Sequence, residues 1–391
     1  MDRLPASDWT RREDLAALVA ALGDGNARYV GGAVRDTLLG LAVKDIDIAT
    51  PMLPDEVMAR LKAAEIHTIP TGIAHGTVTA VLPLGPVEIT TLRHDVTTDG
   101  RHATVAFSQD WREDAARRDF TINALYADPA SGEITDYFGG LADLAARRVR
   151  FIGDARQRIR EDHLRILRYF RFQARFGSQP ADAESESACA DLAATLKGLS
   201  RERIGMEMFN LLGLPDPAPT VARMAQLGVL AVILPEAQVA PLAALVAQER
   251  RQGVAPDALR RLAALLPADV PLAEAVASRF RLSGAQKKRL ATAAAHKTLP
   301  QGGGSQDARA LAYRLGREFA IDSLLLTGES IAPLDGWEIP VFPLKGGQIV
   351  AAGITAGPQV ARTLQAVEAR WIAEGFPGDA RTLEILSETI A

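Results

Sequence analysis

The 391 residues carry 44 Lys and Arg against 48 Asp and Glu, a formal net charge of −4, with 48% apolar and 24% charged residues: an ordinary globular make-up with chain for two to four compact units. A single cysteine, Cys189, excludes a disulfide framework and a cysteine-based metal site within the chain, and fits a reducing cytoplasm. The start, Met1-Asp2-Arg3-Leu4-Pro5, lacks a signal-peptide pattern, and no run approaches the roughly 20 apolar residues of a membrane helix.

Residues 11–22 have helical apolar spacing and stop at Gly23. Arg28 to Val30 reads as a short strand entering Gly31-Gly32, and Ala33 to Leu39 as a helix ended by Gly40. Ile46 and Ile48 alternate with Asp45 and Asp47, which predicts a strand with both aspartates on one face. Thr77–Leu82 and Val87–Leu92 are further strands; Glu88 alternates with Val87 and Ile89 and should face the aspartates. Asp95 to Thr104 is polar, contains Gly100 and reads as a mobile loop, while Thr121 to Tyr126 fits strand or helix. After Asp136-Tyr137-Phe138-Gly139-Gly140 the chain turns helical. Asp154 with Gln157 three residues on has the capping-box pattern. Breaks fall at 177–182, 213–219, 300–305 and 331–345, and no fixed-period repeat is visible. The expected fold is α+β: a small mixed sheet with helices over roughly the first 145 residues, then a helical body.

The chemistry concentrates in Gly31-Gly32-Ala33-Val34-Arg35-Asp36-Thr37-Leu38-Leu39-Gly40 and Lys44-Asp45-Ile46-Asp47. A glycine pair between strand and helix lets backbone amides approach an anion, where the helix N-terminus adds partial positive charge. Alone, such a pair is usually a turn. Two aspartates on one strand face are costly without a cation between them, and Mg²⁺ suits carboxylates plus substrate phosphates. Alone, Asp-x-Asp is usually a surface pair. Between Leu144 and Phe176, arginines 147, 148, 150, 156, 158, 160, 165, 168, 171 and 175 face only Asp154, Glu161 and Asp162. Such a local positive excess suits a phosphate backbone or triphosphate, or else a solvated helix face.

The glycine and Asp-x-Asp segment resembles the first motif of the class II tRNA nucleotidyltransferases and bacterial poly(A) polymerases, within the DNA-polymerase-beta-like superfamily. Arg117-Arg118-Asp119-Phe120-Thr121-Ile122-Asn123-Ala124 resembles that family's second motif, and Asp136 to Gly140 its hinge. Glu161-Asp162-His163-Leu164-Arg165 resembles its base-reading motif, and Ser200-Arg201-Glu202-Arg203-Ile204 the helical motif after it. The five motifs keep their order across residues 28–210, about half the chain. The resemblance implies a CCA-adding enzyme with tRNA, CTP and ATP as partners, Mg²⁺ as cofactor, and no membrane association. Asp45 and Asp47 would hold two metals, with Glu88 as third catalytic carboxylate. Gly31, Gly32, Arg35 and Lys44 would hold phosphates, although Arg35 could instead pair with Asp36 or Asp47. Arg118, Asp119 and Asn123 would contact the ribose, or tie strand to helix as a buried pair.

Asp162 and Arg165, three apart on one expected helix face, would read the base. A carboxylate accepts from the exocyclic amine of C or A, and a guanidinium donates to the ring nitrogen beside it; U and G reverse that edge. Glu161 at i,i+4 would brace Arg165, and Arg158 and Arg168 would add phosphate or base contacts. The loop carrying Asp95 and Arg101 would govern the change from C to A addition.

The implied layout is an N-terminal helix (1–25), a catalytic head (26–145), a helical neck (146–200), a body (201–265) and a tRNA-binding tail (266–391). Beyond His163 only His296 remains, so the metal phosphohydrolase unit of longer relatives is not expected. A poly(A) polymerase shares every head motif, as does an enzyme adding only CC or A. A non-catalytic RNA-binding relative would have lost a metal carboxylate or the base-reading pair. A nucleotidyltransferase acting on a small molecule or a protein would not need residues 161–165.

Overall fold

A computed structural model describes residues 3–99, 102–297, 305–355 and 357–390. The chain divides into two compact units, one of residues 1–207 with 220–235 and one of 208–219 with 236–391.

The first unit opens with helix α1 (Glu13–Leu22), which buries Leu15, Leu18 and Leu22 on one face, as its apolar spacing requires. Strand β1 (Arg28–Val30) runs through Gly31 into helix α2 (Gly32–Leu38). Strand β2 (Ile46–Thr50) buries Ile46 and Ile48 and leaves Asp47 half-buried between them. Helix α3 (Pro54–Ala63) and strand β3 (Thr68–Gly72) follow, then strands β4 (Thr77–Leu82) and β5 (Gly85–Thr91). After strands β6 (Arg93–Asp99) and β7 (His102–Phe107) come helix α4 (Trp111–Ala116), a 3-10 turn at Thr121–Asn123, and strands β8 (Leu125–Ala127) and β9 (Ile134–Asp136).

Seven strands form one mixed sheet in the order β3-β4-β5-β2-β1-β8-β9. Only β2 and β5 pair parallel; the other neighbours are antiparallel. Strands β6 and β7 pair separately as a two-stranded hairpin. That hairpin replaces the mobile loop expected at 95–104: the Val and Thr residues there favour strand pairing, which their polarity obscured. Gly100 and Arg101 lie outside the described residues.

Helix α5 (Gly140–Ala145) starts at the motif read as a hinge. Both carboxylate oxygens of Asp136 are used there: Oδ1 accepts the amides of Phe138, Gly139 and Gly140 and Oδ2 that of Leu141, at 2.9 to 3.1 Å. A Cβ at Gly140 would stand 2.3 Å from the Thr121 carbonyl oxygen, so only glycine lets α5 close on that turn.

Helix α6 (Ala155–Glu161) is capped by Asp154, whose side chain accepts the Gln157 amide at 2.6 Å. Helix α7 (Arg165–Phe176) buries Ile166, Tyr169, Phe170, Gln173 and Phe176 on one side, while Arg165, Arg168, Arg171 and Arg175 recur on the other. Helices α8 (Ala183–Asp191), α9 (Arg201–Leu212), α10 (Ala218–Gln226) and α11 (Val229–Ile233) follow in chain order.

The second unit is helical: α12 (Ala240–Arg251), α13 (Ala258–Leu265), α14 (Val270–Arg279), α15 (Gly284–His296), α16 (Ser305–Leu315), α17 (Arg317–Thr327), α18 (Gly346–Ala351), α19 (Pro358–Ala373) and α20 (Asp379–Ile390). Trp371, Val367, Ile349 and Ile385 centre one apolar cluster. A second interior is ionic. Glu249 accepts from Arg260 Nε and Arg261 Nε, both at 2.8 Å, and Asp322 accepts from Arg260 Nη1 at 3.2 Å and Arg289 Nη2 at 2.9 Å. Among the described residues, no helix is long and apolar enough to cross a membrane.

Candidate active site

A cleft of about 500 Å³ opens in the first unit. It is lined by Gly31, Gly32, Arg35, Asp47, Arg118, Asp119, Asn123, Asp162, Arg165 and Arg168. Arg117, Leu164, Phe172 and Arg203, which the sequence reading did not single out, line it too. Lys44 and Asp45 are exposed just before β2 and Glu88 is exposed within β5, whereas Arg158 is half-buried. Of Asp95 only the backbone is described, in β6, and Arg101 lies outside the described residues.

The glycine turn is held by its backbone. Gly31 has φ +70°, a region that costs a side chain free energy, while a Cβ there would meet nothing closer than 3.5 Å. Its amide donates to the Leu125 carbonyl at 3.2 Å, so that group is already engaged in joining β1 to β8. Arg35 is buried and makes the structural pairing left open by the sequence. It bonds the Asp36 carboxylate at 2.6 Å, donates to Asn123 Oδ1, and stacks on the Phe176 ring at 4.1 Å.

The carboxylates meet through strand register. Asp47 on β2 stands opposite Glu88 on β5 across the parallel rung, so both side chains rise from the same sheet face. Asp45 precedes β2 instead of lying within it, which corrects the expected strand, but it is still near enough to act on Asp47. Burial, then the Glu88 charge, push the Asp47 carboxyl up to about 6; Arg118 opposes this and Asp45 adds to it. These are oxygen donors with mutual repulsion that a divalent cation would relieve. Among the described residues, no three or more His, Cys, Asp or Glu stand close enough to form a ready cage.

Around the turn before β8, Arg118 is bound by Asp114 at 3.1 Å and by the Tyr126 hydroxyl at 3.2 Å. Arg117 also bonds Asp114, at 2.7 Å. Burial alone would raise the Asp114 carboxyl, yet Arg118 and Arg117 hold it down to about 2. A carboxyl lowered in the folded state adds stability above its ordinary value of 3.8, which is lost as pH falls toward 2. Asp114→Asn is expected to cost about 2 kcal/mol at neutral pH and to flatten the acid limb of the melting-temperature profile between about pH 4 and 2. Thermal melts across that range check it; an unchanged acid limb would refute the assignment.

The segment expected to read the base departs from expectation in its backbone. Asp162 and Arg165 were expected on one helix face, but the helix breaks: Asp162 is extended after α6, and α7 begins at Arg165. Asp162 accepts the Leu164 amide at 3.1 Å and Arg203 Nη2 at 2.8 Å. These bonds favour the local turn over continued helix. Arg165 is braced by Glu161 at 2.6 Å, as expected, and donates to the carbonyls of Arg158 at 2.8 Å and Arg117 at 3.2 Å. Arg158 is not among the cleft-lining residues; it bonds Glu161 at 2.6 Å and the Ala116 carbonyl at 2.9 Å. The arginine run is thus less free than its local count suggests. Arg148 and Arg150 pair with Asp143, Arg156 with Asp191, Arg171 with Glu207 and Arg175 with Asp36.

Residues 27–150 match the Poly A polymerase head domain, and 182–240 the probable RNA and SrmB-binding site of polymerase A. The mitochondrial CCA tRNA nucleotidyltransferase 1 of Mus musculus is 35% identical over 367 residues, covering 89% of this chain and 83% of its own. The CCA-adding enzyme of Geobacillus stearothermophilus is 40% identical over 210 residues, covering 53% of this chain and 50% of its own. The crystal structure of the Bacillus stearothermophilus CCA-adding enzyme in complex with CTP superposes with a TM-score of 0.71 at 26% identity, over 96% of this chain and 97% of that one. Likeness of that depth over nearly the whole length joins the cleft to a lineage: the chain belongs to the CCA tRNA nucleotidyltransferase family of nucleotidyltransferases.

Proposed function

We propose that this cleft adds CMP, CMP and AMP, taken from CTP and ATP, to the 3′ end of tRNA, with protein side chains in place of a template. The observation that carries the reading is convergence: the glycine turn, Asp47, the Arg118–Asp119–Asn123 turn and the Asp162–Arg165 pair line one cavity. Asp45 and Asp47 would hold Mg²⁺, with Glu88 as the third catalytic carboxylate beside them; the metal would supply Lewis-acid polarisation of the phosphates and lower the pKa of the attacking 3′-hydroxyl. Gly31, Gly32 and Lys44 bound the triphosphate end, with Arg35 behind the turn. Arg118, Asp119 and Asn123 form the sugar end, and Arg168 lies between sugar and base.

Asp162 accepts from the exocyclic amine of C or A, and Arg165 donates to the neighbouring ring nitrogen. Both are fixed by protein bonds, so U or G would leave them unpaired, which discriminates strongly. The segment of sequence with Asp95 and Arg101 governs the change from C to A. The helical neck (146–200), body (201–265) and tail (266–391) would hold tRNA by shape and phosphates. The work belongs in a reducing cytoplasm, where Cys189, buried and with its thiol pushed up by burial, stays inert.

The test is extension of a tRNA transcript ending at the discriminator base, with Mg²⁺, CTP and ATP, resolved to single nucleotides. Growth should stop after C, C and A. A long A ladder would make it a poly(A) polymerase, a stop at CC a partial enzyme, and no extension would sink the reading. Asp162→Ala should let UTP and GTP in, narrowing the CTP-to-UTP preference by about a hundredfold or more.

A further inference from the structure

Arg117 and Arg118 share Asp114, and Arg148 and Arg150 share Asp143. Arg28 and Arg112 differ: among the described residues, neither guanidinium is joined to a carboxylate. Acids stand near them in the fold and are otherwise engaged. Asp110 caps α4 by accepting the Arg112 amide at 2.8 Å, and Glu113 accepts from Ser108 Oγ at 2.5 Å. Asp128, after β8, accepts the Ala130 and Ser131 amides at 3.0 and 2.7 Å.

Aromatic rings hold the two arginines instead. Half-buried Arg28 lies 4.3 Å over the Trp111 ring, and its Nη1 makes only long bonds, 3.3 Å to the Tyr137 hydroxyl and 3.4 Å to Thr135 Oγ1. Exposed Arg112 lies 5.4 Å over the Phe138 ring. Trp111 and Tyr137 both meet the Tyr126 ring edge-on, at 5.7 and 6.1 Å, and the Tyr126 hydroxyl accepts from Arg118 of the cleft. The patch is therefore one ring away from the nucleotide cleft. Strand register gives its side: Arg28 pairs with Ala49 and Val30 with Asp47, so Arg28 and Asp47 rise from the same sheet face, about 8 Å apart at the backbone. A stacked guanidinium keeps its N–H edge for an acceptor, and rings interleaved with unneutralised arginines suit a nucleic-acid strand.

Resting on the nucleotide-site reading above, we infer that Arg28 and Arg112 hold backbone phosphates of the RNA strand whose 3′-hydroxyl reacts, just behind that end. One strand rises about 3.4 Å per base, so a span of about 8 Å from Asp47 corresponds to roughly the second or third linkage. Trp111 and Phe138 fix the aim of the two guanidiniums. The contact touches no base edge, so it serves the RNA whatever its sequence.

The test is the affinity of a fluorescently labelled tRNA transcript ending at the discriminator base, read by anisotropy from about 50 to 200 mM KCl. The proteins are the native chain, Arg28→Gln, Arg112→Gln and, as a control, Lys62→Gln at an exposed position of α3. Each arginine variant should weaken RNA binding by about three- to tenfold and lower the slope of log Kd against log salt by about 0.7 to 1, with KM for CTP unmoved. Lys62→Gln should leave the affinity within about twofold, since its charge meets no RNA. An uncharged methylphosphonate at the second or third linkage from the RNA 3′ end should weaken the native chain by a similar factor. In Arg28→Gln it should add nothing, because both changes remove the same contact. Unchanged affinity in the arginine variants, an equal loss in Lys62→Gln, or penalties that multiply at both linkages would each overturn the inference. Arg112 is exposed, so Arg112→Gln decides the matter even where Arg28→Gln does not fold. Failure of the underlying nucleotide-site reading is distinct: the native chain would then bind this RNA without extending it with CTP.

Discussion

Asp47→Ala is expected to lower nucleotide addition by at least about a thousandfold, because the cation proposed to bind it would contribute several kcal/mol to the transition state. Asp45→Ala added to it should leave no measurable extension. Loss of activity alone could reflect damage to the fold, and Asp47 offers an internal control. Burial and the facing Glu88 raise its carboxyl to about 6, above the ordinary 3.8. The folded chain therefore binds this proton more tightly than the unfolded chain, and stability falls as pH rises through that window. Above it, the ionised Asp47 costs the metal-free protein about 3 kcal/mol. Asp47→Asn should accordingly melt higher than the native chain in EDTA at neutral pH while being inactive. Added Mg²⁺ should raise the native melting temperature and leave that of the variant unmoved. A variant that melts lower in EDTA, or a Mg²⁺ response equal in both, would show that these carboxylates are not the metal site.

Asp322→Ala should unfold the second unit far more readily, at a cost of about 3 to 5 kcal/mol. Asp322 is 1% exposed and accepts from both Arg260 and Arg289. Arg260 is itself 4% exposed and shares Glu249 with Arg261, which is 1% exposed and also donates to the Leu212 carbonyl at 2.7 Å. Deleting that anion leaves the buried Arg260 with Glu249 as its one remaining carboxylate among the described residues and Arg289 with Asp257 and Glu318, so a charge pair inside the helices is broken with nothing to replace it. The exposed pair Lys287–Glu274, at 3.7 Å, is the contrast: Glu274→Ala should change stability by under about 1 kcal/mol. Urea titrations of the three proteins compare them. Similar midpoints for Asp322→Ala and Glu274→Ala would mean the ionic interior is not what holds these helices.

Local pattern carried the reading of the catalytic strands. Ile46 and Ile48 announced β2, the Thr77–Leu82 strand is found at the bounds read from its sequence, and Glu88 does stand beside Asp47. The glycine turn and helix α2 were equally plain, since a two-glycine junction followed by apolar helical spacing has few other solutions. What failed was whatever depends on partners distant in sequence. The Glu161–Arg165 segment looks like unbroken helix until Arg203, on α9, takes the Asp162 carboxylate. The arginine run looks strongly positive until Asp191, Glu207 and Asp36 are brought against it by folding. Arg117 and Arg203 both lay inside recognised motifs, so the signal for them was present, whereas Phe172 had only its place on α7. The ionic interior of the second unit had no sequence signal at all. Arg260 and Arg261 sit in ordinary helical text, and Asp322 lies some sixty residues on.

The parallel rung between β2 and β5 separates geometry from identity. Asp47 and Glu88 are about one strand spacing, roughly 4.8 Å, apart at the backbone, because main-chain hydrogen bonds set that distance and no packed side chain does. Neighbouring core positions can then drift without detuning the spacing between the two acids. A head built this way tolerates heavy divergence, as in a relative that keeps the fold at a TM-score of 0.71 with 26% identity. An inserted or deleted residue in β5 is another matter: a slip of one place turns Glu88 to the opposite face of the sheet. Evolution of this site is therefore permissive to substitution and intolerant of length change in those two strands.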